Sequence, residues 1–241
     1  MGNNRTIKLS KRLSAAEFAV RRGCRAADIG CDHGKLAARL ILSGRCRFVY
    51  AVDISKPSLK KAADLFSALG IQDRAATLES DGLSEIEADA VDDVIIAGVG
   101  FDTTEHIVSG CGWLKNKDKQ LILVPNSRHP QTRRYLCAEG FELVSERAVF
   151  ENERVYTVMT CVYSGVAAQI TPEFAAIGKI LESCGDNREY LRMVRKSNES
   201  LLRGVRRSPS ADQSKIEQAE IVLKALDSIT ATEVSTCQST R

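Results

Sequence analysis

The stretch Asp28-Ile29-Gly30-Cys31-Asp32-His33-Gly34 follows a short apolar run and leads directly into a stretch with helical periodicity at residues 35–42. An acidic residue and two glycines between a strand and a helix are typical of the first ligand-binding turn of an α/β domain. A dinucleotide-binding fingerprint would need glycine at positions 30, 32 and 35, but this chain has Asp32 and Lys35. The glycines allow a close backbone approach, and the two carboxylates favour a positively charged ligand over a pyrophosphate.

Strand-like and helix-like segments alternate on both sides of this turn. The predicted strands are residues 25–30, 47–54, 75–82, 92–100 and 119–126, and the predicted helices include 35–42, 58–69 and 131–139. Near-continuous apolar strands in this order indicate a parallel sheet covered on both faces. Residues 141–165 contain two further strands joined by a polar turn near 151–154, which predicts an antiparallel hairpin. The predicted fold is therefore an α/β, Rossmann-like sheet, and its final hairpin resembles the ending of a class I methyltransferase.

The last third of the chain has a different pattern. After residue 165 the strands stop, and two long helical stretches flank the segment Ser208-Pro209-Ser210. Each stretch has a heptad-like apolar seam, which predicts an antiparallel coiled-coil hairpin that a shorter helix at 173–184 joins to the sheet. We therefore divide the chain into a domain at 1–165 and a helical appendage at 166–241. The predicted seam residues are Leu191, Val194, Asn198, Leu201 and Val205, and Ile216, Ala219, Leu223 and Leu226.

Polar and glycine residues follow each of the later strands. Asp53 ends the second strand, where a carboxylate can accept both hydroxyls of a ribose, and Asp81 follows the third, where it can bind an adenine amino group. Gly98 follows the fourth strand and Asn126 the fifth. Because ligands of open α/β sheets bind at the carboxyl ends of the strands, these residues predict one crevice for an adenosine-type ligand.

Charge is distributed unevenly, although the net charge is only +3. Residues 1–25 contain seven basic side chains and one acidic one, and residues 188–207 contain seven basic and two acidic ones. Two basic zones on an otherwise acidic body suit a polyanion-binding protein. The alternative is that each zone is an ordinary solvated helix face.

Composition narrows the protein class further. The longest apolar run, residues 94–101, is far shorter than the roughly 20 residues that cross a bilayer. No apolar segment of an export signal follows the basic start, and the eight cysteines are scattered without a CxxC pair. We therefore expect a cytoplasmic protein with reduced thiols, no metal site and no membrane partner. The oligomeric state stays open, with a monomer favoured.

Taken together, these motifs resemble those of the bacterial tRNA (adenine-22 N1)-methyltransferases. The resemblance covers nearly the whole chain and implies transfer of a methyl group from S-adenosylmethionine to N1 of an adenine in tRNA. The matching elements are Leu9-Ser10-Lys11-Arg12-Leu13, Asp28-Ile29-Gly30 with Asp32-His33, Asp81-Gly82-Leu83, Ile96-Ala97-Gly98 with Gly100, and Pro125-Asn126.

The resemblance and the strand-end pattern together give a set of candidate site residues. We expect Asp32, His33 and Asn126 to act in catalysis. The candidate RNA-binding residues are Lys11, Arg12, Arg192, Arg195 and Arg203. The candidate cofactor-binding residues are Asp28, Gly30, Gly34, Asp53, Ile54, Asp81, Gly82, Leu83 and Gly98.

The sequence also departs from the family pattern. The family commonly continues the fourth strand as Gly-Met-Gly-Gly, whereas this chain has Val99 and Phe101 in place of the methionine and the second glycine. This departure leaves the target nucleotide open. Two alternatives remain: a class I methyltransferase of another RNA or of a small molecule, and an RNA-binding protein with a vestigial cofactor site.

Overall fold

The computed structural model describes residues 7–180, 185–205 and 212–238. It contains seven strands and eight α-helices within these ranges. The strands are β1 (Cys24–Ile29), β2 (Cys46–Asp53), β3 (Ala75–Glu79), β4 (Asp93–Ala97), β5 (Gln120–Val124), β6 (Phe141–Glu151) and β7 (Arg154–Tyr163). The helices are α1 (Lys11–Ala19), α2 (Lys35–Leu42), α3 (Lys56–Leu69), α4 (Phe101–Ser109), α5 (His129–Ala138), α6 (Pro172–Ile177), α7 (Gly185–Val205) and α8 (Gln213–Gln238).

The strands form one sheet in the order β3-β2-β1-β4-β5-β7-β6. The first five strands are parallel, while β7 pairs antiparallel with both β5 and β6. Asn152 and Glu153 connect β6 to β7 and both have positive φ, as a tight two-residue hairpin turn requires. The predicted fold class is thereby confirmed. Reversal of the strand order beside β1 places the ends of β1 and β4 at the usual ligand crevice.

Apolar side chains cover both faces of the sheet. One buried cluster packs α1, α2 and α3 against the sheet through residues such as Leu40, Phe66 and Ile95. A second cluster packs α4 and α5 against it through residues such as Ile96 and Leu123. The central strands contribute to both clusters, which explains why their sequences are apolar without alternation.

A third apolar cluster attaches the helical hairpin to the edge of the sheet. Ala148 on β6 packs with Ile177 of α6, Leu191 and Val194 of α7, and residues of α8. The Asn187 side chain also accepts a hydrogen bond of 2.8 Å from the Ala148 backbone N–H. The start of α7 is therefore bound to the sheet by backbone and side-chain contacts.

Two sequence predictions for the helical region were wrong in detail. The helix predicted at 173–184 ends at Ile177, where Gly178 adopts a φ of 66°, and residues 181–184 lie outside the described ranges. In α7, Leu202 is buried while Leu201 is 37% exposed, so the seam shifts by one residue. A heptad spacing drifts relative to a straight helix of 3.6 residues per turn, which accounts for the shift.

Candidate functional site

The turn between β1 and α2 has the backbone shape that its glycines predict. Gly30 and Gly34 have φ values of 72° and 66°, and a Cβ on Gly34 would lie 2.7 Å from the Cβ of Ala62. The Gly30 and Cys31 N–H groups donate to the Val52 carbonyl, which fixes the turn against β2. Asp32 also has a positive φ, of 51°, which is uncommon outside glycine and often found at functional sites.

Asp28 is a buried carboxylate with an unfilled hydrogen-bonding site. Only 3% of the residue is exposed, and its Oδ2 has no partner among the described residues. Burial raises the pKa of Asp28 to about 7, and the charge of Asp53 acts in the same direction, while the Ala37 backbone N–H opposes it. A cation placed beside Asp28 would stabilise the ionised carboxylate, which burial destabilises.

A cavity of about 280 Å³ opens beside Asp28 at the ends of β1 and β4. It contains a potential anion-binding group, Arg12, as well as the Asp28 carboxylate. Such a pair of opposite charges suits a zwitterionic group such as the amino-acid end of a ligand. The other lining residues are Leu13, Gly30, Cys31, Asp32, His33, Lys35, Leu36, Ala97 and Gly98.

Asp53, at the end of β2, is held by two backbone groups. Its Oδ2 accepts from the Asp32 N–H at 3.2 Å, and its Oδ1 accepts from the Ser55 N–H at 2.9 Å. Each carboxylate oxygen can accept a further hydrogen bond, so both can receive a ribose hydroxyl. The carboxylate is thus oriented before any ligand binds.

A further cavity of about 400 Å³ lies at the end of β3 and includes Ile54 and Asp81, two of the predicted cofactor residues. The Asp81 carboxylate lies 3.1 Å from His106 Nε2. Gly82 and Leu83 are both buried. The Leu83 side chain packs in the apolar core, so only the backbone of this residue is available to a ligand.

Asn126, at the end of β5, is held in one orientation. Its Nδ2 donates to the Gly98 carbonyl, its Oδ1 accepts from Arg12 Nη1 at 3.2 Å, and its N–H donates to Val99 at 3.0 Å. Arg12 in turn lies 3.6 Å from Glu151 and stacks 4.7 Å from the centre of the Tyr156 ring. Arg12 therefore belongs to the crevice, although the sequence predicts it as a phosphate contact.

The predicted catalytic residues do not form a single contact cluster. Asp32 pairs with His33 at 3.3 Å, and His33 Nε2 lies 3.1 Å from Lys61 Nζ. Both Asp32 and His33 line the 280 Å³ cavity, whereas Asn126 lines a larger one. Arg12 connects the two groups, because it lines the first cavity and donates to Asn126.

The predicted RNA-binding residues differ in their availability. Arg192 pairs with Glu189 one turn away on α7, and Arg195 forms a 2.7 Å ion pair with Asp227 of α8. Arg195 therefore joins the two helices of the hairpin rather than presenting a free charge. Lys11 and Arg203 are exposed.

Several side chains that border the site were not among the residues predicted from the sequence. His106 contacts Asp81, and Glu151 and Tyr156 hold Arg12, although each pair is far apart in the chain. His129 begins α5 and is only 6% exposed. Its place in the sequence shortly after Asn126, beyond the end of β5, is the signal that could have placed it near the site. Cys31 lies in the turn, but burial raises the pKa of its thiol, which disfavours the thiolate that a nucleophile requires.

The residues present fit the cofactor that the sequence analysis predicts. The unpartnered Asp28 oxygen can take an ammonium group, Asp53 can take the ribose hydroxyls, and Asp81 can take an adenine amino group. The carboxylates also suit a sulfonium, whereas they would repel a pyrophosphate. Within the described ranges, no group of three or more His, Cys, Asp or Glu side chains is placed to share a metal ion. None of the described helices is long and apolar enough to cross a membrane.

Comparison with known proteins gives concordant matches. A methyltransferase-domain family model matches residues 9–159. The tRNA (adenine(22)-N(1))-methyltransferase of Bacillus subtilis is 30% identical over 154 residues, which are 64% of this chain and 64% of that protein's length.

Solved structures resemble the chain over a longer range. The crystal structure of the B. subtilis M1A22 tRNA methyltransferase TrmK has a TM-score of 0.79 and 22% identity, and the match covers 92% of this chain and 99% of that one. The Mycoplasma capricolum TrmK structure in complex with S-adenosyl-homocysteine has a TM-score of 0.76 and 19% identity, with 92% and 99% covered. At these identities the likeness supports the fold alone.

Proposed function

Because the chain belongs to the methyltransferase-domain family, we propose that it transfers a methyl group from S-adenosylmethionine to N1 of an adenine in tRNA. The observation that carries this proposal is the row of oriented carboxylates at three successive strand ends, Asp28, Asp53 and Asp81. The similarity to the B. subtilis tRNA enzyme supports tRNA as the substrate, with adenine 22 as the target. A cytoplasmic location belongs to the same proposal.

The first experiment tests the reaction itself. The purified protein is incubated with methyl-labelled S-adenosylmethionine and bulk tRNA that lacks modifications, and the modified nucleoside is identified by mass spectrometry. We expect label in 1-methyladenosine at one position. Label in another nucleoside would reassign the target. Label in a small-molecule fraction would favour the alternative that the chain is a class I methyltransferase of a small molecule. Binding of RNA without heat on titration with S-adenosylmethionine would favour a vestigial cofactor site.

We propose that the cofactor lies along the ends of β1, β2 and β3. Asp28 would hold the ammonium of the methionine end and Arg12 its carboxylate, since both line one cavity. Gly30, Gly34 and Gly98 would allow the backbone to approach, and Asp53 and Ile54 would contact the ribose and adenine. Asp81, Gly82 and the Leu83 backbone would complete the adenine end. When bound, the cofactor supplies an electrophilic methyl group on a sulfonium, which the N1 lone pair takes while the carbon–sulfur electrons remain on sulfur.

The acceptor base must leave its stack to reach this crevice. We propose that Asn126 Oδ1 accepts from the exocyclic amine and so orients the ring, because Gly98 and Arg12 fix the amide. Asp32 would stabilise the positive charge that the adenine gains, and His33 would hold Asp32, which lies 3.3 Å away. The left-handed backbone of Asp32 is consistent with a constrained functional residue.

We also propose that the chain has two parts, residues 1–165 as the methyltransferase domain and residues 166–241 as the helical appendage. The sheet ends with β7 at Tyr163, and the described elements after it are helices. Lys11, Arg192 and Arg203 remain our candidates for phosphate contacts on the two parts. Arg195 is a weaker candidate because its charge is engaged with Asp227.

Removal of the Asp53 carboxylate should weaken cofactor binding strongly. The ribose hydroxyls would lose two charge-assisted hydrogen bonds, each worth roughly 1.5–3 kcal/mol. We expect Asp53→Ala to raise the dissociation constant of S-adenosylhomocysteine at least about tenfold, measured by calorimetry. Asp64→Ala is a matched control, since Asp64 is an exposed carboxylate on α3. An unchanged affinity in a folded Asp53 variant would remove this residue from the site.

Cofactor affinity should rise with pH up to about pH 7 and then level off. The raised pKa of Asp28 means that the free protein holds a proton below about pH 7, and that proton must leave before an ammonium can pair with the carboxylate. Calorimetry at pH 5.5, 6.5 and 7.5, in buffers of different ionisation enthalpy, measures this proton release.

The control for the pH experiment is Asp28→Asn, which removes the titrating group. Asp53, Asp32, His33, Lys35 and Arg12 also face or border this cavity. The part of the pH dependence that these groups cause should persist in the variant. If the variant keeps the full pH dependence of the parent, Asp28 is not its origin.

Affinity for tRNA should fall steeply with salt and depend on the exposed basic residues. Each lost phosphate contact lowers the slope of log affinity against log salt by roughly 0.7–0.9. We expect the double variant Arg192→Gln/Arg203→Gln to lower tRNA affinity at least about tenfold in filter binding, with unchanged S-adenosylhomocysteine affinity. Arg195 is left intact, because its replacement would break the ion pair between α7 and α8. Unchanged tRNA affinity and an unchanged slope would assign the hairpin a structural role only.

A further inference from the structure

A cavity lined by the connection from β5 to α5, the turn from β6 to β7 and the start of α7 lies between the sheet and the helical hairpin. Its volume is about 730 Å³, within the range of roughly 300–1,000 Å³ typical of ligand sites. Three segments form its walls: the connection from β5 to α5, the turn from β6 to β7, and the first three turns of α7. The lining residues are Asn126, Ser127, Arg128, His129, Phe150, Glu153, Arg154, Val155, Glu189, Arg192, Met193 and Lys196.

This cavity adjoins the proposed cofactor crevice. Asn126 lines the large cavity, Arg12 lines the 280 Å³ cavity, and the two side chains share a hydrogen bond. The carbonyl of Gly98, at the end of β4, is bound to the same amide. A ligand in the large cavity could therefore reach the cofactor crevice past Asn126.

The walls combine positive charge with exposed apolar surface. Arg128 and Arg192 are paired with Asp102 and Glu189, whereas Arg154 and Lys196 have no ion-pair partner among the described residues. On the walls of the same cavity, Phe150 is 38% exposed and Met193 is 39% exposed. A flat apolar group next to an anion is the chemistry of a nucleotide, whose base stacks on aromatic side chains while its phosphates bind cations.

The backbone at two edges of the cavity is also unusual. Arg128 and Glu153 adopt φ values of 56° and 60°, on segments that are distant in sequence. Non-glycine residues in this conformation concentrate at ligand-binding and active sites. The hairpin turn at Asn152–Glu153 explains the positive φ of Glu153, whereas Arg128 does not lie in a hairpin turn.

We infer that this cavity receives the acceptor nucleotide of the RNA, with the base against Phe150 and Met193 and the flanking phosphates on Arg154 and Lys196. This inference rests on the proposed function and adds the route by which the base approaches Asn126. It also gives α7 a direct role, because the first turns of the helical appendage form one wall of the acceptor site rather than a remote arm.

Photo-crosslinking tests the location. Met193 is replaced by the photoreactive residue p-benzoylphenylalanine, the protein is irradiated with tRNA, and the crosslinked nucleotide is mapped by primer extension. Val144, which is 46% exposed on β6 and outside the cavity lining, receives the same residue as a control. We expect a crosslink at the methylated adenosine or its direct neighbours from position 193 only. A crosslink elsewhere, or equal yields from both positions, would overturn the inference.

A second pair of variants keeps the test decisive if the photoreactive protein does not fold. Phe150→Ala should lower kcat/KM for tRNA roughly ten- to hundredfold, the scale of a lost base–aromatic stack, and leave S-adenosylhomocysteine affinity within twofold. Phe18→Ala removes another exposed phenylalanine, on α1, and should leave kcat/KM unchanged. If Phe150→Ala and Phe18→Ala have equal kcat/KM values and the parent protein methylates tRNA, the acceptor site is rejected but the proposed function is not. Absence of methylation by the parent would instead reject the proposed function.

Discussion

Replacing Asp32 by asparagine should lower the single-turnover methylation rate roughly 10²–10³-fold when both substrates are saturating. In the proposed reaction the adenine gains positive charge as its N1 takes the methyl group, and the Asp32 carboxylate would stabilise that charge as oxyanion-hole donors stabilise a negative one. Loss of one such contact typically costs a factor of this size. The measurement is rapid-quench kinetics with labelled cofactor, and a loss under fivefold would reject the role.

The choice of variant follows from the backbone. Asp32 has a φ of 51°, a conformation that asparagine tolerates and alanine does not, so Asp32→Asn removes the charge without adding strain. The Asp32 N–H that donates to Asp53 is retained. S-adenosylhomocysteine affinity should therefore stay within about threefold of the parent value. A parallel collapse of affinity would show that Asp32 acts on the cofactor and not on the acceptor base.

His33→Gln distinguishes two interpretations of the residue beside Asp32. If His33 holds Asp32 through their 3.3 Å contact, the variant should lose part of the rate that Asp32→Asn loses. The double variant should then be no slower than Asp32→Asn, because residues that act as a unit are not additive. Additive losses would mean that the two side chains act separately.

The alternation of strands and helices was predictable because it depends on local patterns, although α1 and α4 were not among the predicted helices. Buried parallel strands need continuous apolar runs, and the turn at Gly30 and Gly34 needs positive φ, so both features are visible in the sequence. The first helix after this turn has the predicted bounds, Lys35–Leu42. The prediction of one crevice rests on parallel strands ending on the same side of the sheet. In the structure Asp28 and Asp81 line two separate cavities at that side.

Contacts between distant segments were not predictable in the same way. The sequence places Arg12 in a basic zone, yet its guanidinium reaches Asn126, 114 positions away. It likewise gives no sign that Arg195 pairs with Asp227 or that His106 pairs with Asp81. Such pairs depend on how α1, α4 and α8 dock, and charge counts treat paired and free cations alike. For the same reason, the sequence did not predict a buried ion pair that attaches the helical appendage to the sheet.

This buried pair joins Arg133 of α5 to Glu146 of β6. Both side chains are fully buried, and Nη2 of Arg133 lies 2.6 Å from Glu146 Oε1. Arg133 also donates to the Ala175 and Ala176 carbonyls of α6 and to the Tyr190 hydroxyl of α7. One guanidinium thus connects the sheet to two helices that follow it, including the helix that lines the proposed acceptor cavity.

Arg133→Met should lower the free energy of unfolding by roughly 3–5 kcal/mol, because it leaves Glu146 buried without a partner. Burial already raises the pKa of Glu146, and Arg133 is the main opposing influence. Without Arg133, Glu146 should take up a proton in the folded state, so the loss of stability should be larger at pH 8 than at pH 5. Urea denaturation at the two pH values measures both effects.

The double variant Arg133→Met/Glu146→Leu separates the cost of an unpaired charge from the loss of packing. Replacement of a whole buried ion pair by apolar residues is often neutral, so this variant should recover most of the stability lost in Arg133→Met. Recovered stability need not restore function, since the apolar pair cannot bond the α6 carbonyls or Tyr190. If the network serves to hold α7 against the acceptor cavity, the double variant should show normal S-adenosylhomocysteine affinity and a raised KM for tRNA. A double variant with parental KM would mean that the apolar cluster around Ala148, Leu191 and Val194 is sufficient to position α7.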